Sequence, residues 1–401
     1  MRMFVRKTKN KISLGIVLHA VPGYSETFFR NKISFLKEEG FDVKLFVDGG
    51  QRGFDFCPVV EGFFMEGTKQ QRLVKFLILV TRSILHSVKL AKLCYLNKRD
   101  GFTFNQNVLS LIHSVHILGH SLDWLHFGFA SIAVNRENLS RVIGAKMAVS
   151  VRGFDVCIYP LKHSNVYKLL WNRIDKLHYI SDDLYKVALE LGLSEKIHSQ
   201  KITPAIDIDV FKKTCLTHDK SPIGKIFILT VARLHWKKGL DYTLEALKII
   251  KDAGILFEYH IIGDGPEYER LVFARHQLGL QNEVVFWGKL EPKEIKEKLS
   301  LTDVYLQYSI QEGFCNAVLE AQAMGCLCIV SDAEGLGENV LDEITGFTVE
   351  KRNPKLLSGI ILDVLALPTE EKQKMRENAM NRVYKEFNLQ IQKQKFIEFY
   401  Q

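Results

Sequence analysis

Short apolar runs alternate with amphipathic helical stretches along almost the whole chain. An apolar run of four to eight residues followed by a 3.6-residue periodicity is the sequence pattern of a parallel strand and its crossover helix. In the first half this predicts strands over Ile12–His19, Phe41–Val47, Val115–Leu118, Ala145–Val151 and Leu177–Ile180, with helices such as Glu26–Glu39 and Asp182–Leu191 between them. The second half restarts the rhythm. Strands are expected at Ile226–Val231, Phe257–Ile262, Val284–Trp287, Val304–Tyr308 and Leu327–Val330, with helices over Asp241–Asp252, Glu267–Leu278, Lys293–Leu299 and Asn316–Met324. Two such series predict an α/β protein of two Rossmann-like, doubly wound domains with a cleft between them. The 401 residues are also too many for one ordinary core. The segment 202–220 carries Pro204 and few helix cues and is the expected hinge, dividing the chain into residues 1–204 and 205–385.

One stretch departs from the pattern. Lys69 to Arg99 holds eight Lys/Arg and no acidic residue, with Leu, Phe, Ile and Val interleaved. A basic amphipathic helix of this kind suits peripheral contact with an anionic membrane. A surface helix whose apolar side, including Leu77–Val80, packs on the first sheet suits the residues equally well.

Composition narrows the class. Hydrophobic residues at 47% and charged residues at 25% describe an ordinary globular protein. A net charge of +8 fits an anionic ligand or surface, and without a nucleic-acid motif no nucleic-acid partner is expected. Seven cysteines form no CxxC pair, and Cys326 and Cys328 should share one face of a strand as reduced thiols, which fits a cytoplasmic protein. The basic N-terminus before Ile12–Val21 has the look of a signal peptide. No small-x-small cleavage site follows it, so the run is taken as the first strand. No stretch approaches the ~18 apolar residues of a membrane span.

Candidate chemistry concentrates in the run Ser309–Gly325. Gly313 loosens the chain between a predicted strand and helix, so that Phe314, Cys315 and Asn316 can offer backbone N–H groups at the helix start, where a diphosphate or sugar oxygens bind well. Glu312 on the loop and Glu320 one turn into the helix can accept paired hydrogen bonds from a diol, or can simply be solvated carboxylates. Upstream, Arg233 and Lys238 lie on another strand-to-helix loop and can neutralise a diphosphate without a metal. A basic loop on its own is more often just solvated.

Taken jointly, these motifs resemble family 4 of the retaining glycosyltransferases, which have the GT-B fold. The family's Glu-x7-Glu motif is matched by Glu312 and Glu320 with Gly313-Phe314 after the first acid, and its diphosphate ligands by Arg233 and Lys238. Gly263-Asp264-Gly265-Pro266, Gly288 and Asp207–Phe211 also match. The resemblance implies a metal-independent enzyme with no cofactor beyond its donor, moving a hexose-type sugar from a nucleotide diphosphate to a saccharide or glycolipid. In that scheme Glu320 holds the ribose. Glu312 and the backbone of Gly313 through Ala317 hold the sugar, Arg233 and Lys238 hold the phosphates, and Gly263 lines the donor site. It also implies a last helix, 386–401, that returns to the first domain, and a place at the inner face of the cell membrane.

The first half matches less closely. Gly23 and Ser25 fall in a Ser-Glu-Thr-Phe loop resembling that of exopolysaccharide and lipopolysaccharide enzymes, which would approach the diphosphate; Ser25 also reads as a plain helix N-cap. His126 falls in a His-Phe-Gly segment resembling the family's, expected to follow a strand. Where many relatives have His-Gly-x-Asp, this chain has Arg152-Gly-Phe-Asp155. Arg152 cannot titrate near neutral pH; it is a candidate for an anionic acceptor group or the donor phosphate, and Asp155 for an acceptor hydroxyl. The Asp207-x-Asp209 pair lacks partner ligands and is not taken as a metal site. Trp236, Trp287 and Tyr308 are expected to pack in the core. A nucleotide-sugar epimerase or hydrolase and a non-enzymatic membrane module are the competing functions.

Overall fold

The computed structural model describes residues 11–23, 27–49, 53–63, 68–212 and 224–401. They form two compact units. One takes in the described residues up to Ile180, then Leu184–Ile202 and Lys393–Gln401; the other takes in Ser181–Asp183 and Thr203–Gln392. Much of the expected hinge, residues 213–220, lies outside the described residues.

The first unit is built on seven parallel strands: β1 (Ser13–Leu18), β2 (Asp42–Val47), β3 (Val59–Glu61), β4 (Trp124–Phe127), β5 (Lys146–Val151), β6 (Lys176–Tyr179) and β7 (His198–Lys201). Their order is β3-β2-β1-β4-β5-β6-β7, so the winding reverses between β1 and β4. Five of the six residues of β1 and all four of β4 are buried, as expected for strands covered on both faces. Four of its longer helices are α1 (Thr27–Glu38), α2 (Lys69–Leu85), α3 (Ser87–Arg99) and α4 (Phe104–Ser114).

Two expectations are corrected by the structure. Val115–Leu118 is not a strand. It is a turn closing α4, with the N–H groups of Ile117 and Leu118 both donating to the Ser114 carbonyl. Its apolar residues are buried as turn residues, and the sheet position belongs to Trp124–Phe127 instead. Residues 69–99 are two helices broken at His86, and the run Leu77–Val80 does not pack on the sheet, since Leu77 and Ile78 are about half exposed.

The terminal helix, Leu389–Tyr400, supplies part of the first core. Phe396, Phe399 and Tyr400 recur at i, i+3 and i+4, and all three are buried with Leu14, Ile16, Phe28 and Trp124. Trp124 Nε1 donates to the Tyr400 carbonyl at 3.1 Å and Lys176 Nζ to that of Phe399 at 2.7 Å.

The second unit repeats the principle with six parallel strands: β8 (Ile226–Val231), β9 (Phe257–Ile262), β10 (Val284–Gly288), β11 (Val304–Gln307), β12 (Leu327–Ser331) and β13 (Phe347–Val349). The order β10-β9-β8-β11-β12-β13 places the reversal between β8 and β11. Helices α5 (Leu240–Asp252) and α6 (Asn316–Ala323) follow β8 and β11. The loops leading into them therefore lie at the carboxyl ends of adjacent strands, where ligands of open α/β sheets bind.

Replacing Phe396 with Ala should destabilise the protein by about 3–5 kcal/mol, because the ring is fully buried and leaves a cavity. The exposed Gln394→Ala control should change stability by no more than ~0.5 kcal/mol. Chemical denaturation of both variants gives the comparison.

Candidate functional site

In the second unit three loops converge. After β8 the chain runs through Arg233 into a single 3-10 turn, Trp236–Lys238, and Gly239 starts α5. The Lys237 carbonyl accepts the Ile310 N–H at 2.7 Å, which ties this loop to the one leaving β11. After β9 comes Gly263, at φ +138°; a Cβ there would stand 1.9 Å from the Ala232 carbonyl oxygen, so only glycine lets these two loops cross.

The paired loops bring Lys238 and Glu312 into a direct ion pair, both side chains largely buried. Burial works against the charge on Lys238, yet the Glu312 carboxylate outweighs it and holds the ammonium above its ordinary pKa. Arg233 is exposed on the same loop and makes no ion pair with a described residue. Two cations, one clamped and one open, thus stand at the carboxyl end of β8.

Glu312 is held from a third side. Its N–H donates to Glu334 Oε2 at 2.8 Å, and its carbonyl accepts the Gly335 N–H at 3.0 Å. A Cβ on Gly335 would lie 1.9 Å from the Gly313 carbonyl oxygen, so that contact also requires glycine. Asn339 then grips the start of α6, accepting the Cys315 N–H at 2.9 Å and donating to the Cys315 carbonyl at 3.1 Å. Of the three N–H groups expected to serve a ligand, that of Cys315 is therefore committed. Those of Phe314 and Asn316 bond to no described residue and stay available. Gly313 and Ala317 flank them. Phe314 itself is buried against Phe387, at 5.6 Å between ring centres. The Cys315 thiol is pushed up to about 12 by burial, with Glu312 adding to the effect, so it is no nucleophile at neutral pH.

Glu320 sits one turn into α6. It keeps a partly exposed edge, but its carboxyl is deep enough that burial raises it to about 7. That carboxyl has no hydrogen-bond partner among the described residues. A desolvated carboxylate without a donor is costly by itself and is well suited to a ligand that brings hydroxyl groups.

The first-unit candidates are placed differently. Gly23 is exposed on the loop after β1, which Arg30 fixes by donating to the Pro22 carbonyl at 3.1 Å. Ser25 lies outside the described residues. His126 is inside β4, not on the loop after it, and is fully buried. Its Nε2 is 2.7 Å from Ser150 Oγ, which is 2.7 Å from His178 Nδ1; Lys32 Nζ and the Tyr400 hydroxyl share its Nδ1. Burial, with Lys32 adding, holds the ring well below the usual histidine range, so it stays neutral.

Asp155 is also spent locally. Its Oδ1 accepts the Ser131 N–H and hydroxyl at 3.1 and 2.8 Å, and its Oδ2 accepts the Arg152 N–H at 3.2 Å. Burial outweighs these bonds and raises the carboxyl to about 6. The Arg152 guanidinium lies 4.2 Å from the Phe28 ring centre and 4.8 Å from that of Phe29. Asp207 Oδ1 accepts the N–H groups of Asp209 and Val210, a local turn. Trp236 and Trp287 are not core residues; they are 43% and 40% exposed, and only Tyr308 is buried.

Sequence reasoning missed Glu334, Gly335 and Asn339, which position Glu312 and α6, and the buried Lys32. Lys32 was detectable: it lies four residues from both Phe28 and Leu36, on the apolar face of α1.

Residues 217–382 match the family model described as Glycosyl transferases group 1. The chain is 28% identical over 247 residues to the amylovoran biosynthesis glycosyltransferase AmsK of Erwinia amylovora, an alignment covering 59% of this chain and 60% of that protein's own length. It is 26% identical over 307 residues to the N,N'-diacetylbacillosaminyl-diphospho-undecaprenol alpha-1,3-N-acetylgalactosaminyltransferase of Campylobacter jejuni, covering 68% of this chain and 75% of that one. Among solved structures, Anabaena HepE in complex with UDP and glucose matches with a TM-score of 0.68 at 17% identity, over 96% of this chain and 98% of that one, a likeness of fold.

The raised carboxyl of Glu320 sets a pH dependence. Because its folded pKa lies above the ordinary 4.5, the proton stabilises the folded state; that contribution is complete below pH 4.5 and is lost as pH rises through about 7. Glu320→Gln removes the dependence. The ligand-free variant should be more stable than the parent at pH 8 by roughly 3 kcal/mol, the gain fading toward acid, as read by denaturation across that range.

Proposed function

We propose that the chain, whose residues 217–382 match the group 1 glycosyl transferases and which has the GT-B fold, moves a hexose-type sugar from a nucleoside diphosphate to a saccharide or lipid-linked saccharide in polysaccharide assembly, with retention at the anomeric carbon and without a metal. The observation that carries this is the buried Glu320 carboxylate, without a donor among the described residues, on the helix whose start offers two open N–H groups. The ribose hydroxyls supply the missing donors to Glu320. The diphosphate lies toward Arg233 and Lys238, and the sugar toward Glu312 and the free N–H groups of Phe314 and Asn316. The HepE structure's UDP makes a uridine donor the first candidate, and the Campylobacter relative's name makes a diphospholipid-linked saccharide the first acceptor class.

As the bond from the anomeric carbon to the phosphate oxygen breaks, charge grows on the diphosphate. Arg233 and Lys238 are in place to receive it, which supports doing without a metal. The acceptor hydroxyl then adds to the same face of a short-lived oxocarbenium-like ion, and its proton passes to the departing phosphate oxygen. No carboxylate base is needed. Catalysis then rests on positioning and on charge fixed in advance by the Lys238–Glu312 pair. A lipid-linked acceptor is met at a bilayer. We place the enzyme at the cytoplasmic face, with residues 69–99 as its contact with an anionic membrane.

Calorimetric titration of metal-stripped protein with UDP, GDP, ADP and dTDP tests the donor site. One diphosphate should bind selectively, more tightly at pH 8 than at pH 6 because ionised Glu320 is the better acceptor, and Glu320→Ala should lose about ten- to a hundredfold in affinity. No binding to any of the four refutes the donor site. Lys238→Ala should lower the rate of sugar transfer by about a hundredfold. A rate within twofold of the parent removes the lysine from the diphosphate.

A further inference from the structure

Helix α7 (Thr369–Glu386) docks through an apolar stripe, with Met375, Ala379, Met380 and Val383 buried at i, i+4, i+5 and i+8. Arg382 and Tyr384 stand outside that stripe. They and Phe387, just past the helix end, serve α6 instead. The Tyr384 hydroxyl donates to the carbonyl of Ala323, the last residue of α6, at 3.0 Å. At the other end Phe387 packs on Phe314. Phe387 is also held from behind, its carbonyl accepting the Ile206 N–H at 3.0 Å.

Arg382 joins the contacts at the start of α6. Its Nη1 donates to the Asn339 carbonyl at 3.0 Å and its Nη2 to the Glu338 carbonyl at 2.7 Å, the last two carbonyls of the short helix Leu336–Asn339. Nε donates to Glu386 at 3.2 Å, and the guanidinium carbon lies 4.9 Å from the Phe387 ring centre. One planar group therefore holds both residues that touch the start of α6. Asn339 takes the N–H and the carbonyl of Cys315, and Phe387 takes the Phe314 ring. A lysine could bond one of the carbonyls, but it has neither the fork that reaches both nor the flat face that covers the ring.

The open N–H groups of Phe314 and Asn316 lie on either side of Cys315. Any shift of Asn339 or of the Phe387 ring moves them, although Arg382 is 62 positions along the chain from Glu320. We infer that Arg382 is a positioning residue of the donor site, which through Asn339 and Phe387 sets the direction of those two N–H groups. As a statement about sugar transfer this rests on the proposed transferase function; as a statement about the start of α6 it does not.

Hydrogen–deuterium exchange on the ligand-free full chain tests the second statement without a substrate. In Arg382→Ala the amides of Cys315 and of the first turn of α6 should exchange about tenfold faster than in the parent, while β8, β9 and β11 keep their protection. Added guanidinium ion, at concentrations that leave the parent folded, should restore the slow exchange; ethylammonium, a point charge without the fork, should not. Arg382→Lys, which keeps the stem and the charge, should show the same local change and serves if the alanine variant does not fold. Parent-like exchange at Cys315 in a folded variant overturns the inference. So does faster exchange spread evenly over the second unit's strands, or a variant that guanidinium leaves unchanged, either of which makes Arg382 a packing residue only.

For transfer, Arg382→Lys should bind UDP within about threefold of the parent and consume UDP-glucose about a hundredfold more slowly, since the sugar and not the nucleotide meets the displaced N–H groups. Equal losses in UDP affinity and in rate count against the role. A parent that neither binds UDP nor consumes UDP-glucose refutes that donor and leaves the exchange result standing.

Discussion

The Lys238–Glu312 ion pair is the constraint on which the second unit's chemistry depends. Each charge is largely buried, and breaking such a pair from either side costs about 3–5 kcal/mol, because the remaining charge has no water to return to. The pair therefore locks the loop after β8 to the loop after β11. Three neighbouring contacts inherit that lock: the crossing at Gly263, the approach of Gly335 to Gly313, and the hold of Asn339 on the start of α6. The result is a rigid floor of charge and N–H groups, in which the side chains of Arg233 and Glu320 have no charged or hydrogen-bonding partner among the described residues.

The first unit uses buried polarity for a different end. Lys32, His126, Ser150, His178 and the Tyr400 hydroxyl form one hydrogen-bonded chain inside an apolar core. Burial holds the lysine and both histidines well below their usual ranges. Satisfied networks of this kind specify one packing arrangement over its competitors, because any slip strands a polar group in a dry place. This one also keeps His126 from the surface.

How far the sequence was legible depends on where each residue's partners lie. The alternation of strands and helices is local, so both sheets were readable, as was the run from Ser309 to Gly325, whose acids, glycine and helix start succeed one another along the chain. The failures were non-local. Val115–Leu118 is as apolar as a strand, and only the pairing of Trp124–Phe127 with β1 shows which segment enters the sheet. His126 looked like a loop residue because its partners on β5, β6, α1 and the terminal helix are distant in sequence. Glu334 and Asn339 carried no local signal, since their value lies in reaching backbone 22 and 24 residues earlier. The choice between the two readings of 69–99 was hidden for the same reason: periodicity gives a helix an apolar side but not the direction in which that side points.

The terminal helix has a consequence for synthesis. Phe396, Phe399 and Tyr400 close the core around Leu14, Ile16 and Trp124, so β1 and β4 leave the ribosome well before the residues that cover them. At ~5–20 residues per second that interval is on the order of 20–80 s, during which β1 and β4 present apolar faces with no lid. The second unit's sheet lies wholly between these segments in the chain and can fold during the wait. The first unit is thus closed only after the second unit's sheet has been made.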